Sequence, residues 1–212
     1  MKIKVCGLKN DENIRSVAAL KPDYMGFIFY KSSPRFASEL NSEILKDIPA
    51  NIGKTAVFVN ESAENINKLI NLHDFDLIQL HGDETPDFCQ SFRTKVKVIK
   101  AFGVTTGFDF EQLKYYLNKV DYFLFDTKAE TYGGSGKTFD WSVLNEYKLK
   151  VPFFLSGGIS PDNISEIESI HHPQLYGIDL NSKFEDSPGI KNIRQLEKAF
   201  KTVKVIEHEL RR

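Results

Sequence analysis

Short apolar runs recur along the chain at Ile3–Cys6, Tyr24–Tyr30, Thr55–Val59, Leu77–Leu80, Val96–Phe102, Tyr122–Phe125, Val151–Leu155 and Leu175–Leu180. Each has the length of a β-strand and carries β-branched or aromatic residues, and most stop at Gly, Asn or Asp. The longer polar segments between them have helical spacing. "NDENIRSVAALKPD" opens on an Asn/Asp cap, has acids in its first turn, and sets apolar residues at 14, 17, 18 and 20. "ESAENINKLINLHD" and "DFEQLKYYLNK" repeat this design, and "SPDNISEIESIHH" opens with Ser-Pro, which suits a cap followed by the first helical position. "SPGIKNIRQLEKAFKTVKVIEHEL" reads as one long amphipathic helix starting at Ser187.

Strand and helix therefore alternate about eight times, with no linker, low-complexity stretch or strong repeat. Near-continuously apolar strands alternating with helices predict a parallel sheet covered by helices. Eight units predict an α/β protein with a closed (β/α)8 TIM barrel, forming a single domain over residues 1–212. An open doubly wound sheet is the structural alternative. In a barrel, chemistry sits at the C-terminal ends of the strands, so the residues that follow each apolar run are the ones to weigh.

Composition narrows the class of partner. The chain has 212 residues, of which 41% are hydrophobic and 27% charged, with a net charge of −1. That balance gives no reason to expect nucleic acid or an anionic membrane as partner. Cys6 and Cys89 stand alone, which fits a reducing compartment better than a disulfide framework, and no zinc-type cysteine pairs are present. The start "MKIKVCGLKN" has no apolar stretch of signal-peptide length, and no run approaches the ~20 apolar residues that span a bilayer. The expectation is a cytoplasmic protein, a monomer in preference to a homodimer.

The clearest chemical signal is "LSGGISPDN" after the seventh strand. Gly157 and Gly158 allow a tight turn that aims backbone N–H groups at an anion. Barrels often hold phosphate between the loops after strands seven and eight, with a short extra helix, and "NSKFEDSPG" has room for one. Other strand ends leave two readings open. Cys6 suits either buried packing or a reactive thiol. Asp126 suits either a loop cap or an acid whose pKa is raised by burial. Arg35 suits either solvent or a substrate carboxylate. Gln79 and His81 share one strand face and suit either a pocket lining or polar groups satisfied within the core.

"TYGGSGKT", residues 131–138, ends like a nucleotide-binding P-loop. That motif needs glycine at the first position, directly after a strand. Here Thr131 holds the position and the strand has ended near Asp126. Gly133, Gly134 and Gly136 instead suggest a lid over the acid.

"KVCGLKN", "GFIFYKSSPRF", "IQLHGDE", "DTKAETYGGSGKTFDW", "FFLSGGISPDN" and "GIDLNSKFEDSPGIKN", in this order over essentially the whole chain, resemble phosphoribosylanthranilate isomerases of tryptophan biosynthesis. The resemblance implies a TIM barrel without cofactor or metal that catalyses an Amadori rearrangement of a small phosphosugar. It implies Cys6 as general base, Asp126 as general acid, and Arg35 at the anthranilate carboxylate. It also implies Asp179 near the substrate, and Gly157, Gly158, Asn181, Ser182 and Lys183 at the phosphate, while Gln79 and His81 are counted with the substrate-binding candidates on their shared strand face alone. The chain departs from the family at Asn181-Ser182-Lys183, where Ser-Ser-Gly is usual, at Lys9, where Thr is common, and at Asn192, where Asp is common. The alternatives are another phosphosugar isomerase on the same barrel and a barrel that binds a phosphate ligand without catalysis.

Overall fold

The computed structural model describes residues 1–127 and 140–209. The apolar runs form eight strands: β1 (Lys2–Cys6), β2 (Tyr24–Ile28), β3 (Gly53–Phe58), β4 (Leu77–Leu80), β5 (Lys97–Val104), β6 (Tyr122–Thr127), β7 (Phe153–Leu155) and β8 (Leu175–Leu180). They pair in sequence order, all parallel, and β8 returns to β1, so the sheet closes and the open alternative is excluded. The closing seam sets Lys4 opposite Asp179.

Helices α1 (Asp11–Ala19), α2 (Ser42–Lys46), α3 (Ala63–His73), α4 (Pro86–Gln90) and α5 (Ile193–Glu209) cover the barrel. The Asn10 side chain caps α1 by accepting from the Asn13 N–H at 3.0 Å, and Ser62 caps α3 by accepting from the Asn65 N–H at 3.2 Å. Asp74 ends α3 in the left-handed conformation. The third and fourth predicted helices differ from expectation. Phe110–Tyr116 and Ile164–Ser169 form 3₁₀ turns, as does Trp141–Glu146. Their apolar residues recur every third position: Phe110, Leu113, Tyr116; Trp141, Leu144, Tyr147; Ile164, Ile167, Ile170. Residues three apart eclipse one another in a 3₁₀ helix, so this spacing buries one face without the wider stripe an α-helix needs.

The C-terminal helix also departs from expectation. Ser187 to Lys191 are not helical. Instead β9 (Glu185–Ser187) and β10 (Ile190–Lys191) pair as a small antiparallel hairpin. Pro188-Gly189 makes the turn, with Gly189 at φ +87°. α5 starts after Asn192, whose side chain accepts from the Gln195 N–H at 2.9 Å.

Alternation along the strands divides the apolar residues into two sets. One packs between sheet and helices and includes Val5, Met25, Phe27, Ile78, Phe123 and Phe153. The other fills the barrel interior: Leu77, Ile99, Ala101, Leu124 and Phe154, with Tyr24, Tyr122 and Tyr176 against them. The tyrosines sit at the starts of their strands, and the Tyr24 and Tyr176 hydroxyls meet at 2.8 Å. The floor of the barrel is thus packed and largely apolar, and the space for a ligand lies at its other end.

A buried ion pair holds two of the loops at that end. Lys100 Nζ lies 3.2 Å from Glu84 Oε2 and donates to Gly82 O at 2.8 Å. The Glu84 carboxylate accepts from the Asn60 N–H and the Gly82 N–H, each at 2.9 Å. The loop after β3 is thereby tied to the loop that carries His81. Removing one member of a buried pair leaves an uncompensated charge. Glu84→Ala should therefore lower unfolding stability by about 3 kcal/mol or more, read from urea denaturation midpoints at constant slope.

Candidate active site

A cavity of about 690 Å³, part of it open to solvent, lies at the C-terminal ends of the strands. Of the residues expected at the site, Cys6, Gln79, His81, Asp126, Gly157, Gly158, Asp179, Asn181 and Ser182 line it. Ile28 and Val57 of β2 and β3, with Tyr30 and Val59 just beyond those strands, form the apolar part of its wall. Ser33 and Ser156 also contribute.

Gly26 of β2 makes room for the thiol. A Cβ there would lie 2.6 Å from Cys6 Sγ. Two residues before Cys6, and on the same face of β1, the fully buried Lys4 points its ammonium into the barrel and meets Asp179 Oδ1 at 3.0 Å. Burial pulls the Lys4 pKa down, but the Asp179 carboxylate and the Cys6 sulfur outweigh it and hold the pKa above the ordinary lysine value. Burial pushes the Cys6 thiol up. Lys4 and Lys191 pull it down, and Asp179 adds to the rise. Burial likewise lifts the Asp179 carboxyl above the usual carboxylate range, against the pull of Lys4 and Lys191.

Asp126 ends β6 on a different side of the cavity. Its Oδ1 accepts from the Thr127 N–H at 2.8 Å, and its Oδ2 lies 3.5 Å from His81 Nε2. Burial, with the Asp179 charge nearby, raises its pKa to about 7. His81 does not compensate the carboxyl with charge, because burial and the ammonium groups of Lys100 and Lys4 lower its pKa to about 3. The ring is neutral, and Gln79 Nε2 lies 3.1 Å from its Nδ1. Gln79 Oε1 is buried and has no hydrogen-bond partner among the described residues.

Gly157 and Gly158 both take positive φ, at +81° and +69°. The glycine requirement at 157 is steric as well as conformational, since a Cβ there would lie 2.4 Å from Thr127 N and 2.7 Å from Asp126 Oδ1. The turn read as an anion cradle therefore also packs against the acid. After β8, Ser182–Phe184 form a short 3₁₀ helix, as the length of that loop suggested.

Two expected residues lie outside the cavity lining. Arg35 is held by the buried Glu185 of β9, with Nε 3.0 Å from both carboxylate oxygens and Nη2 2.7 Å from Oε2. Lys183 is exposed, and its backbone avoids positive φ, so it does not reproduce the conformation open to a glycine. Among the other departures, Lys9 Nζ donates to Pro34 O at 2.9 Å, and Asn192 caps α5. Gly133, Gly134 and Gly136 lie outside the described residues.

Sequence reasoning missed Lys4, Glu185 and Lys191. Lys191 Nζ reaches Asn181 Oδ1 at 2.8 Å and Glu185 Oε1 at 2.6 Å, so one buried network joins the residue beside Arg35 to the loop after β8. Strand alternation was signal enough to place Lys4 with Cys6. For Lys191, the Pro-Gly dipeptide signalled a turn where a helix was read.

The sequence model of the N-(5'phosphoribosyl)anthranilate (PRA) isomerase family matches residues 3–202. The chain belongs to this family. The N-(5'-phosphoribosyl)anthranilate isomerase of Parabacteroides distasonis is 46% identical over 92% of this chain and 90% of its own. That of Petrotoga mobilis is 38% identical over 98% and 99%. The solved phosphoribosyl anthranilate isomerase of Thermotoga maritima superposes with a TM-score of 0.85 at 32% identity, covering 97% of this chain and 99% of that one. Another solved family member, with a TM-score of 0.80 at 28% identity over 97% and 99%, is in complex with reduced 1-(o-carboxyphenylamino)-1-deoxyribulose 5-phosphate. No described helix is long and apolar enough to cross a membrane.

The raised pKa of Asp126 has a consequence for stability. In the unfolded chain the carboxyl titrates near the ordinary 3.8, in the fold at about 7. The folded state holds the proton more tightly, so stability falls as pH rises from about 4 to about 7, by on the order of 4 kcal/mol. Asp126→Asn should therefore melt at a higher temperature than the parent at pH 8 and at a similar one at pH 4, which thermal denaturation at the two pH values would show.

Proposed function

We propose that the chain converts N-(5'-phosphoribosyl)anthranilate to 1-(o-carboxyphenylamino)-1-deoxyribulose 5-phosphate in tryptophan biosynthesis, with Asp126 as acid and Cys6 as base. The observation that carries this reading is the pairing of a carboxyl protonated up to about pH 7 with a thiol beside an ammonium, facing one cavity from different strands. Asp126 gives its proton to the ribose ring oxygen as the C1'–O4' bond breaks, and the aryl nitrogen becomes an iminium. That cation acidifies the C2' proton, which the Cys6 thiolate removes, leaving an enolamine that tautomerises to the ketone. Cys6 then carries one proton more and Asp126 one fewer, and exchange with water resets both. The steps are proton transfers between positioned groups and draw on no cofactor or metal.

The cavity sorts the two ends of such a substrate. Phosphate suits the Gly157-Gly158 turn with Asn181 and Ser182, and the aromatic ring suits the wall of Ile28, Tyr30, Val57 and Val59. Arg35 serves the anthranilate carboxylate, the role the family resemblance implies. Glu185 occupies its Nε and Nη2, which leaves Nη1 to donate. Gln79 Oε1 accepts from a ribose hydroxyl and Asp179 lies against the reacting carbons. Lys183 makes at most a long-range contribution to the phosphate. Within this reading the protein works in the cytoplasm as a monomer, since its exposed large apolar side chains among the described residues fall on three segments: Leu72 on α3, Tyr115 and Leu117 at the end of the Phe110–Tyr116 turn, and Val205 on α5. Analytical ultracentrifugation tests the monomer.

Cys6→Ala and Asp126→Asn should each lower kcat by about 100-fold or more while still binding the reduced product analogue. Turnover is followed by loss of the substrate's anthranilate fluorescence, and a near-normal kcat in Cys6→Ala would remove the base assignment. Arg35→Ala should mainly raise KM. An unchanged kcat/KM would take Arg35 out of the site.

The pH profile carries a further signature. The competent form has Asp126 protonated and Cys6 ionised, yet the thiol binds its proton more tightly than the carboxyl does. The product of the two fractions rises until about pH 7, is flat above it, and falls once Asp126 is exhausted faster than thiolate accrues. A plot of kcat/KM should therefore climb to a bend near pH 7 that Asp126, not Cys6, sets. A profile with no bend between pH 6 and 8 would count against this pairing.

A further inference from the structure

We propose that Lys4 is the residue that makes Cys6 usable as a base, by sharing one ammonium between the Asp179 carboxylate and the Cys6 sulfur. The inference rests on the acid–base reading above and extends it to a residue that does not touch the reacting atoms. The geometry is the argument. β1 places Lys4 and Cys6 on one face, two residues apart, and the closing seam sets Asp179 opposite Lys4. Lys4 Nζ is 3.0 Å from Asp179 Oδ1, with the side chains 0% and 4% exposed.

A buried thiol resists ionisation because the anion has lost its water. Here the loss is partly replaced. Five charged or titratable groups act on Cys6 or face it across the cavity: Lys4 on its own strand, Asp179 on β8, Lys191 on β10, Asp126 on β6 and His81 on β4. His81 is neutral. Of the two cations, Lys4 stands on the same strand face two residues from the thiol and acts on it more strongly, whereas Lys191 is committed to Glu185 and Asn181. When the Sγ proton leaves to water, Lys4 faces two anions instead of one. The competent fraction of enzyme changes about tenfold for each pH unit by which the thiol midpoint moves.

The test is the Cys6 midpoint itself, read from the pH dependence of the ¹³Cβ shift in cysteine-labelled protein. Cys6→Ala assigns the signal by deleting it. Lys4→Met should move the midpoint up and lower kcat about tenfold or more with a smaller change in KM. Asp179→Asn should move the midpoint down, because the ammonium then serves the sulfur alone. Opposite signs are the signature, since general loosening of the barrel would move both variants the same way. An unchanged midpoint in folded Lys4→Met, or an upward move in Asp179→Asn, overturns the proposal. Should Lys4→Met fail to fold, Asp179→Asn decides: a downward move supports the inference, and an unchanged or raised midpoint rejects it. The readout does not require turnover, so the midpoints can behave as expected even if the isomerase reading fails.

Discussion

The ion pair between Lys4 and Asp179 lies where the barrel closes, and much of the site depends on it. A charge inside a barrel is tolerated only with a partner in good geometry. Each member sits on the strand that completes the other's hydrogen-bonded neighbour, so closure and charge pairing are achieved by the same register. Such a pair contributes little to net stability, because desolvation offsets the attraction. Its effect is on chemistry. It sets a fixed cation beside the thiol and a fixed anion within reach of Asp126, and so pushes the two proton affinities in directions a water-filled pocket would not.

The floor beneath makes those pushes large. Leu124, Phe154 and the three tyrosines fill the interior below the charged layer, so the groups above cannot draw on water from that side. Desolvation is accordingly the leading cause for Asp126, Asp179, Cys6 and His81 alike. The results differ in kind. The carboxyl stays protonated near neutrality, which suits the acid role proposed for it, and the histidine stays neutral. The thiol is also held in its protonated form, which works against the base role proposed for it, and only the nearby ammonium groups oppose this.

The hairpin of Glu185–Lys191 ties Arg35 to the turn after β8. Glu185 receives Arg35 on one side and Lys191 on the other, and Lys191 reaches Asn181 of the turn after β8. The buried Lys191 backbone is in turn clamped by Asn13, which both donates to its carbonyl and accepts from its N–H. Residues far apart in the chain are thus held as one polar network with few free donors.

The eight strands and their order were legible because buried parallel strands leave continuous apolar runs, and eight of them with helices between admit few architectures. The strand-end residues were legible for the same reason: once the strands are known, Cys6, Asp126 and Gly157-Gly158 follow at their ends, and the family motifs name them. The 3₁₀ segments and the hairpin before α5 were not read correctly, because a spacing of three is compatible with both kinds of helix over so short a stretch, and tertiary packing decides between them. Arg35 could be nominated from sequence, but its bond to Glu185 joins residues 150 positions apart. The sequence by itself determined the barrel and nominated Cys6, Asp126 and the Gly157-Gly158 turn as site residues, since each is a local pattern of residue type and position. Only the tertiary structure decided which proton each group holds, because proton affinity depends on burial and on charges brought within a few ångströms by closure of the sheet.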